Sequence, residues 1–268
     1  MAKIKVGVLR GGPSSEYDVS LKTGEAVLQN LNKQKYKPVD ILIDKTGVWY
    51  LSGVAAHPQK AFRAVDVIFN AMHGEYGEDG TAQKIFENHK IPYTGSDSLA
   101  SSVAMQKHLA KEVLSISGIL TPAHVLINMS DNINIKSAEA VRLFGLPLIV
   151  KPAGRGSSVG VKICRSIYGV ITNIAETLNH GGRALAEPFI KGREATCAVI
   201  DDYRGEAHYA FPVVEIIPPA HKDFFDYESK YDGSSQEICP GRFGPEISEK
   251  IKKAAIAAHQ SLGCRHYS

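Results

Sequence analysis

The chain has 268 residues, of which 44% are hydrophobic and 22% are charged, so it can bury a core and does not have the composition of a disordered protein. Its net charge of +3, with no basic block, excludes the usual pattern of a nucleic-acid-binding protein. The longest apolar run, Phe144–Val150, is too short to cross a membrane, and the N-terminus predicts a first strand rather than a signal peptide. Four cysteines without a CxxC pair predict reduced thiols in a cytoplasmic protein, and neither a zinc site nor a disulfide scaffold.

Strands and helices alternate over the first hundred residues. The hydrophobic pattern predicts strands at Lys3–Arg10, Lys37–Asp44, Val65–Asn70 and Ile91–Thr94, and helices at Val19–Leu31 and Thr81–Asn88. This alternation is typical of a parallel sheet with helices on both faces. We therefore predict an N-terminal α/β domain over residues 1–101.

The next two parts differ in their balance of elements. Residues 102–187 predict a central α+β domain, with helices at Asp97–Ser117, Lys136–Phe144 and Ile167–Leu178 and strands at Ala123–Ile127, Leu146–Lys151 and Val161–Ile163. In residues 188–268 strands dominate: Ala195–Ile200 and Ala207–Ile217 flank a hairpin turn, and then come a polar loop at Pro218–Pro240, an amphipathic helix at Pro245–Leu262 and the start of a strand at Cys264–Ser268.

The segment KPAGRGSSVG, residues 151–160, is the most informative one. A buried strand ends at Lys151, and the loop that follows carries Gly156, Ser157, Ser158 and Gly160. Backbone N–H groups and hydroxyls of such a loop can surround phosphate oxygens, with the lysine as a point charge. The alternative is a plain surface turn, which the terminal lysine makes the weaker interpretation.

Two other segments follow predicted strands, where ligands of open α/β sheets bind. In GGPSSE, Glu16 could pair with an ammonium group, while Ser14 or Ser15 could simply cap a helix. In HGEYGEDG, His73 could contact a carboxylate, with a structural role equally open, and the acidic residues favour a helix N-terminus.

The later motifs are weaker by themselves. Glu187 and Glu194 flank apolar residues that could hold an adenine and its ribose, although solvated surface charge is the stronger interpretation of their spacing. The aromatic residues of Phe225–Tyr231 lie in the polar loop and fit either a lid over a ligand or a packed loop.

Taken in order, these pieces resemble the D-alanine–D-alanine ligases of the ATP-grasp superfamily. The matching segments are GVLRGGPSSEYDVSL, AMHGEYGEDG, PYTGSDSLASSVAMQK, LPLIVKPAGRGSSVGV, EPFIKGRE and FFDYESKY. The resemblance implies an ATP-grasp fold with an N-terminal parallel-sheet domain, a central α+β subdomain and a truncated C-terminal sheet domain. It also implies ATP-dependent synthesis of D-alanyl-D-alanine for the peptidoglycan precursor through an acyl phosphate.

The resemblance further implies a role for each matching position. Catalytic roles fall on Glu16, which holds the first D-alanine's ammonium group, and on Ser157 and Tyr231, which join Glu16 in a hydrogen-bonded set; His73 lies near the substrate carboxylate. ATP contacts are implied for Lys107, Lys151, Ser158, Glu187, Phe189, Ile190, Glu194 and Lys230. Tyr231 favours the amide product over the D-lactate ester. No nucleic acid or membrane partner is implied, and the full-length family implies a homodimer.

The sequence departs from the family pattern at two places. Gln106 stands where an aspartate usually precedes the lysine. The family also continues beyond Ser268 with an arginine and with the aspartate, glutamate and asparagine that bind Mg²⁺ (or Mn²⁺). We therefore predict no metal ligands and negligible ligase activity for the 268-residue chain. The alternatives are a non-catalytic ATP- or amino-acid-binding fragment and another ATP-grasp carboxylate–amine or D-lactate ligase.

Overall fold

A computed structural model describes residues 2–219, 222–225, 230 and 233–268. The chain forms two compact units, one reaching Ala104 and including Gly263–Ser268, the other spanning Met105–Leu262. Within the described residues, no helix combines the length and apolar character needed to cross a bilayer. The three-part division predicted from the sequence stays a prediction.

The first unit is built on a five-stranded mixed sheet. Its strands are β1 (Ile4–Gly11), β2 (Tyr36–Ile43), β3 (Trp49–Leu51), β4 (Val54–Ala55) and β5 (Val67–Asn70), in the order β4-β3-β2-β1-β5. The predicted parallel pairing is confirmed for β1 with β2 and with β5. The strands β3 and β4 were not predicted, because they are too short to show a pattern in the sequence. They pair antiparallel at one edge, so the sheet is mixed rather than purely parallel.

Helices cover both faces of this sheet, as predicted. They are α1 (Tyr17–Asn30), α2 (Pro58–Arg63), α3 (Thr81–Asn88) and α4 (Ser98–Met105). Val27 and Leu28 of α1 pack on one face of the sheet, and Phe62 of α2 and Phe86 of α3 pack on the other. The strand predicted at Ile91–Thr94 is wrong, because only a single bridge joins Ile68 and Tyr93.

The second unit begins with helix α5 (Lys107–Ile116) and a four-stranded antiparallel sheet. The strands are β6 (Val125–Asn128), β7 (Leu148–Pro152), β8 (Lys162–Cys164) and β9 (Arg183–Pro188), in the order β6-β9-β7-β8, with helices α6 (Ile133–Phe144) and α7 (Ile167–Gly181) packed against them. The helix predicted over residues 97–117 is two helices, because Gln106 is extended (φ −82°, ψ 94°). Strand β9 was not predicted from the sequence, because its alanines do not favour a strand.

The remainder of the second unit contains a small sheet, a hairpin and a long helix. The elements are β10 (Glu194–Thr196), β11 (Val199–Tyr203), β12 (Glu206–Ala210), β13 (Val214–Ile217), β14 (Gln236–Ile238) and α8 (Pro245–Ser261). The predicted hairpin turn is confirmed: Arg204 and Gly205 both have positive φ between the paired β11 and β12. The loop prediction is wrong at β14, which pairs with β13, and no strand forms at Cys264–Ser268.

Candidate active site

A cleft in the second unit gathers seven of the eight residues for which ATP contacts were predicted. Its volume is about 640 Å³. Its lining includes Lys107, Lys151, Ser157, Ser158, Glu187, Phe189, Ile190, Glu194 and Phe225. A space of this size, lined by basic, hydroxyl and apolar groups, suits a ligand with an aromatic part and an anionic part.

The floor of the cleft contains a buried carboxylate held between two lysines. Glu187 lies in β9 opposite Ile149 of β7, so its side chain shares a face with Lys151 two residues farther along β7. Lys151 Nζ is 2.7 Å from Glu187 Oε2, and Lys111 Nζ is 2.6 Å from Oε1. Glu187 is only 3% exposed, so its interpretation as solvated surface charge is wrong.

Lys111 was not predicted from the sequence to belong to the site. It follows Lys107 by one turn of α5, and this i, i+4 spacing was the available signal because it places both side chains on one face. Burial lowers the pKa of Lys111, partly against the effect of Glu187. The ion pair between Lys111 and Glu187 therefore joins α5 to β9 beneath the cleft.

Lys107 reaches the cleft because the chain is extended at Gln106. Its backbone N–H donates to Ala153 O at 2.8 Å, and its ammonium group donates to Arg155 O. Burial, followed by the charge of Lys151, lowers the pKa of Lys107 to about 8. A partly desolvated ammonium group gains most from an incoming anion, which would replace the lost hydration.

The Gly-Ser turn after β7 has the backbone that phosphate-binding loops use. Ser157 (φ 50°), Ser158 (φ 58°) and Gly160 (φ 74°) all have positive φ. Successive backbone N–H groups in such conformations can form an anion-binding concavity. Ser158 Oγ donates to Phe225 O at 3.0 Å, which ties the turn to the later loop.

The far part of the cleft contains the residues predicted to meet adenine and ribose. Phe189 N–H donates to Pro147 O at 3.1 Å, and the side chain of Ile190 is exposed. Glu194 Oε1 accepts from Phe225 N–H at 3.0 Å. Lys230 Nζ lies 5.3 Å from the centroid of the Phe225 ring, while Tyr231 falls outside the described residues.

Buried charge next to this region was also missed by the sequence analysis. Glu215 of β13 accepts from Arg193 Nη2 at 2.6 Å and from Arg242 Nε at 3.0 Å. The two guanidinium groups lower its pKa to about 2. Because Arg193 directly precedes Glu194, this cluster fixes the backbone at the start of β10.

In the first unit, Glu16 and His73 belong to one neighbourhood. Glu16 is 7% exposed and directly precedes α1, and its N–H donates to Ser14 Oγ at 2.8 Å. Ser14 Oγ donates to His73 O at 2.7 Å. A Cβ on Gly74 would come within 2.8 Å of Glu16 Oε2, and the φ of Gly74 is 71°, so glycine favours the close approach of this loop to the carboxylate.

His73 is held by a hydroxyl and a carboxylate. Its Nε2 is 2.8 Å from Thr23 Oγ1, and its Nδ1 is 3.6 Å from Glu78 Oε1. Glu78 raises the pKa of His73, against the effect of burial. Glu78 also accepts from Gly74 N–H at 2.9 Å within the loop. Asp79 accepts from Thr81 N–H at the start of α3, which fits the predicted helix N-terminus, although no acidic residue lies in the first turn of α3.

Comparison with known proteins covers nearly the whole chain. Sequence profiles described as the N-terminus and the C-terminus of D-ala D-ala ligase match residues 5–61 and 52–96, and residues 113–268, respectively. The D-alanine–D-alanine ligase of Carboxydothermus hydrogenoformans is 36% identical over 99% of this chain and 81% of the relative. That of Geobacter sulfurreducens is 38% identical over 98% of this chain and 77% of the relative.

Solved structures agree with the sequence relatives. The VanG D-Ala:D-Ser ligase from Enterococcus faecalis superimposes with a TM-score of 0.84 at 30% identity, covering 100% of this chain and 85% of that one. The Bacillus anthracis D-alanine–D-alanine ligase complexed with ATP superimposes with a TM-score of 0.78 at 30% identity, covering 98% and 79%. The predicted ATP-grasp fold is confirmed by these neighbours. The chain belongs to the D-alanine–D-alanine ligase family.

Proposed function

We propose that this protein uses ATP to join two D-alanine molecules into D-alanyl-D-alanine for the peptidoglycan precursor. The observation that carries the proposal is the cleft of the second unit, where two lysines, a Gly-Ser turn and two carboxylates line one space. Family membership and the relative solved with ATP support nucleotide binding in this cleft.

In the proposed complex, the triphosphate lies against the cationic end of the cleft. Lys107 and Lys151 bind phosphate oxygens, with donors from the backbone of the turn and from Ser158. Adenine lies at Glu187, Phe189 and Ile190, the ribose hydroxyls are bound by Glu194, and Lys230 approaches the transferred phosphoryl group. The cationic groups neutralise charge that develops on the phosphoryl oxygens during transfer.

The first D-alanine is assigned to the neighbourhood of Glu16 and His73. Glu16 pairs with its ammonium group, and His73, whose pKa is raised by Glu78, favours its carboxylate. The resemblance assigns Ser157 and Tyr231 to a hydrogen-bonded set with Glu16. That hydrogen-bonded set stays a prediction, because Tyr231 lies outside the described residues.

The reaction has two steps. A carboxylate oxygen of the first D-alanine attacks the γ-phosphorus of ATP, so that ADP leaves and an acyl phosphate forms. The ammonium group of the second D-alanine gives one proton to solvent, and the resulting amine attacks the acyl carbon. The tetrahedral intermediate then loses a second proton from this nitrogen to solvent and expels phosphate as the amide forms. The protein contributes by positioning the reactants and neutralising their charge.

The family resemblance implies Mg²⁺ (or Mn²⁺) with the nucleotide, but the described carboxylates of the cleft do not form a set that fits this ion. Glu187 is paired with two lysines, Glu194 accepts from Phe225 N–H, and Asp223 pairs with Arg165 at 2.7 Å. A hard divalent cation needs several unengaged oxygen ligands. The proposed steps therefore use only the protein's own groups.

The assay that tests the proposal mixes the protein with ATP, MgCl₂ and D-alanine and identifies products by mass spectrometry, beside calorimetry of ATP binding. D-Alanyl-D-alanine with one phosphate released per dipeptide supports the ligase. Mixtures of D-alanine with D-lactate or D-serine test the alternative second substrates. ATP binding without product would contradict the proposed ligation and support the binding-only alternative, and no ATP binding overturns the assignment of the cleft.

Variants separate the two substrate positions. Lys151→Ala is expected to weaken ATP binding, and Glu16→Gln to weaken use of D-alanine while sparing ATP. Equal loss of both in Glu16→Gln would instead indicate misfolding. A cytoplasmic location and a homodimer stay part of the proposal, and size-exclusion chromatography with light scattering tests the dimer.

A further inference from the structure

A cluster of one carboxylate and two imidazoles lies where the β11–β12 hairpin meets helix α8. Asp201 and His208 are directly opposite in the register of the hairpin, so their side chains lie on one face. His259 comes from α8, which contacts this hairpin, and its side chain is fully buried. None of the three lines the ATP cleft, and the proposed ligation uses none of them.

The potential ligand atoms of these side chains converge on one point. Asp201 Oδ1 is 2.8 Å from His208 Nδ1 and 3.0 Å from His259 Nε2. The three atoms all lie within 4.8 Å of one another. In a tetrahedral site with bonds of about 2.0–2.1 Å, neighbouring ligand atoms are about 3.3 Å apart, so small side-chain rotations would admit an ion.

We propose that Asp201, His208 and His259 bind a divalent transition-metal ion, with Zn²⁺ as the best fit. Two imidazoles and one carboxylate are a common three-residue ligand set for such ions, with water in the remaining position. The hard cations Mg²⁺ and Ca²⁺ prefer sets made entirely of oxygen, which distinguishes this site from any nucleotide-bound metal.

The bound ion connects two elements that are far apart in sequence. Asp201 and His208 anchor the hairpin, and His259 anchors the last turn of α8. Because the ion binds the folded unit, it stabilises that unit by an amount set by its concentration relative to its dissociation constant. The role is structural, and it does not depend on the proposed ligation.

The test is calorimetric titration of the full, nucleotide-free chain with ZnCl₂, beside the visible absorption spectrum of the Co²⁺-loaded protein. We expect one ion per chain and a Zn²⁺-dependent rise in Tm. His208→Ala and Asp201→Asn are expected to weaken Zn²⁺ binding by about tenfold or more. The matched control is His180→Ala, an exposed histidine in the last turn of α7, which should bind like the wild type.

Folding of each variant is checked by circular dichroism and by its Tm in EDTA. His259→Ala removes a buried ring and is a weaker probe for that reason, so the two variants of the hairpin decide the outcome. Absence of Zn²⁺ binding by the wild type, or equal binding by the wild type and His208→Ala, would overturn the proposal. The three side chains would then be a hydrogen-bonded cluster without an ion.

Discussion

Lys111 and Glu187 form an ion pair inside the second unit, with 10% and 4% of their side chains exposed. The other oxygen of Glu187 pairs with Lys151, so one carboxylate organises two lysines from different elements. This arrangement fixes the position of Glu187, the first of the residues proposed to contact adenine. The pair thus links the packing of α5 to the shape of the cleft.

Replacing Lys111 with methionine is expected to lower the free energy of unfolding by about 3 kcal/mol, because the buried Glu187 loses one of its two lysine partners. Urea unfolding measures the change. The control is Lys136→Met, which removes a partly exposed pair with Glu139 and should have little effect. An equal loss of stability in both variants would contradict the prediction that burial makes the Lys111–Glu187 pair more important than the Lys136–Glu139 pair.

The lowered pKa of Lys107, about 8, predicts that ATP binding depends on pH. Phosphates bind the protonated amine, and about one tenth of the free protein carries that proton at pH 9. We therefore expect ATP affinity at pH 9 to be about tenfold weaker than at pH 7, with proton uptake on binding near pH 8. Calorimetry in buffers of different ionisation enthalpy measures both.

Lys107→Arg provides the control for this pH dependence, since the guanidinium group stays charged throughout the range. Its proton uptake near pH 8 should disappear, and its affinity should change less between pH 7 and pH 9. The same uptake in Lys107→Arg and the wild type would assign the titration to another group.

The contact between Glu78 and His73 predicts a measurable change in the histidine titration. Glu78→Gln should lower the pKa of His73, which an NMR pH titration of the imidazole resonances follows. The raised pKa of His73 contributes to the free energy of unfolding. This contribution is fully present below the ordinary histidine pKa of about 6.5 and is lost as pH rises through the folded-state pKa. Glu78→Gln should reduce this loss.

Glu75→Gln is the matched control in the same loop, because the raised pKa of His73 comes mainly from Glu78. An unchanged His73 titration in Glu78→Gln would contradict the electrostatic assignment. The proposed D-alanine carboxylate contact adds a second readout, since the affinity for D-alanine should fall as His73 loses its proton.

Much of the fold could be predicted because its central elements carry continuous or periodic apolar patterns. Val6–Leu9, apart from the small Gly7, forms such a run, and Val8 and Leu9 have no exposed surface. The short strands β3 and β4 could not be predicted, because two or three residues show no period. The interruption between helices α4 and α5 at Gln106 accompanies a hydrogen bond from Lys107 N–H to Ala153 O. No local sequence pattern indicates this long-range contact.

The candidate site likewise contains some residues that the local sequence predicts and others that only the fold brings together. The turn at residues 151–160 was visible because its lysine, glycines and serines are contiguous in the sequence. Lys111 and Glu187 are 76 residues apart, and the fold alone brings them together. The spacing of Glu187 and Glu194 favoured solvated surface charge, because the sequence does not show that β9 places Glu187 in the interior.

The lowered pKa of Glu215 predicts that the protein loses stability in acid. The folded-state pKa of Glu215, lowered to about 2 by Arg193 and Arg242, stabilises the fold above the ordinary glutamate pKa of about 4.3, and this stabilisation is lost as pH falls towards 2. Thermal unfolding of Glu215→Gln should show a lower Tm than the wild type at pH 6, with the difference shrinking between pH 4 and pH 2. Glu206→Gln, at an exposed position, should show no such convergence.

Gly11 and Gly47 offer a matched pair for the packing of the first unit, because both have φ of 88°. Alanine at Gly47 meets no atom within 4 Å, whereas at Gly11 its Cβ would collide with the carbonyl oxygen of Ile43. Gly47→Ala should therefore cost only the left-handed backbone strain, about 1–2 kcal/mol. Gly11→Ala should cost about 2 kcal/mol more, measured by urea unfolding. Equal losses would mean that β1 and β2 can separate at this end without penalty, contrary to the hydrogen bond of 2.8 Å from Gly12 N–H to Ile43 O.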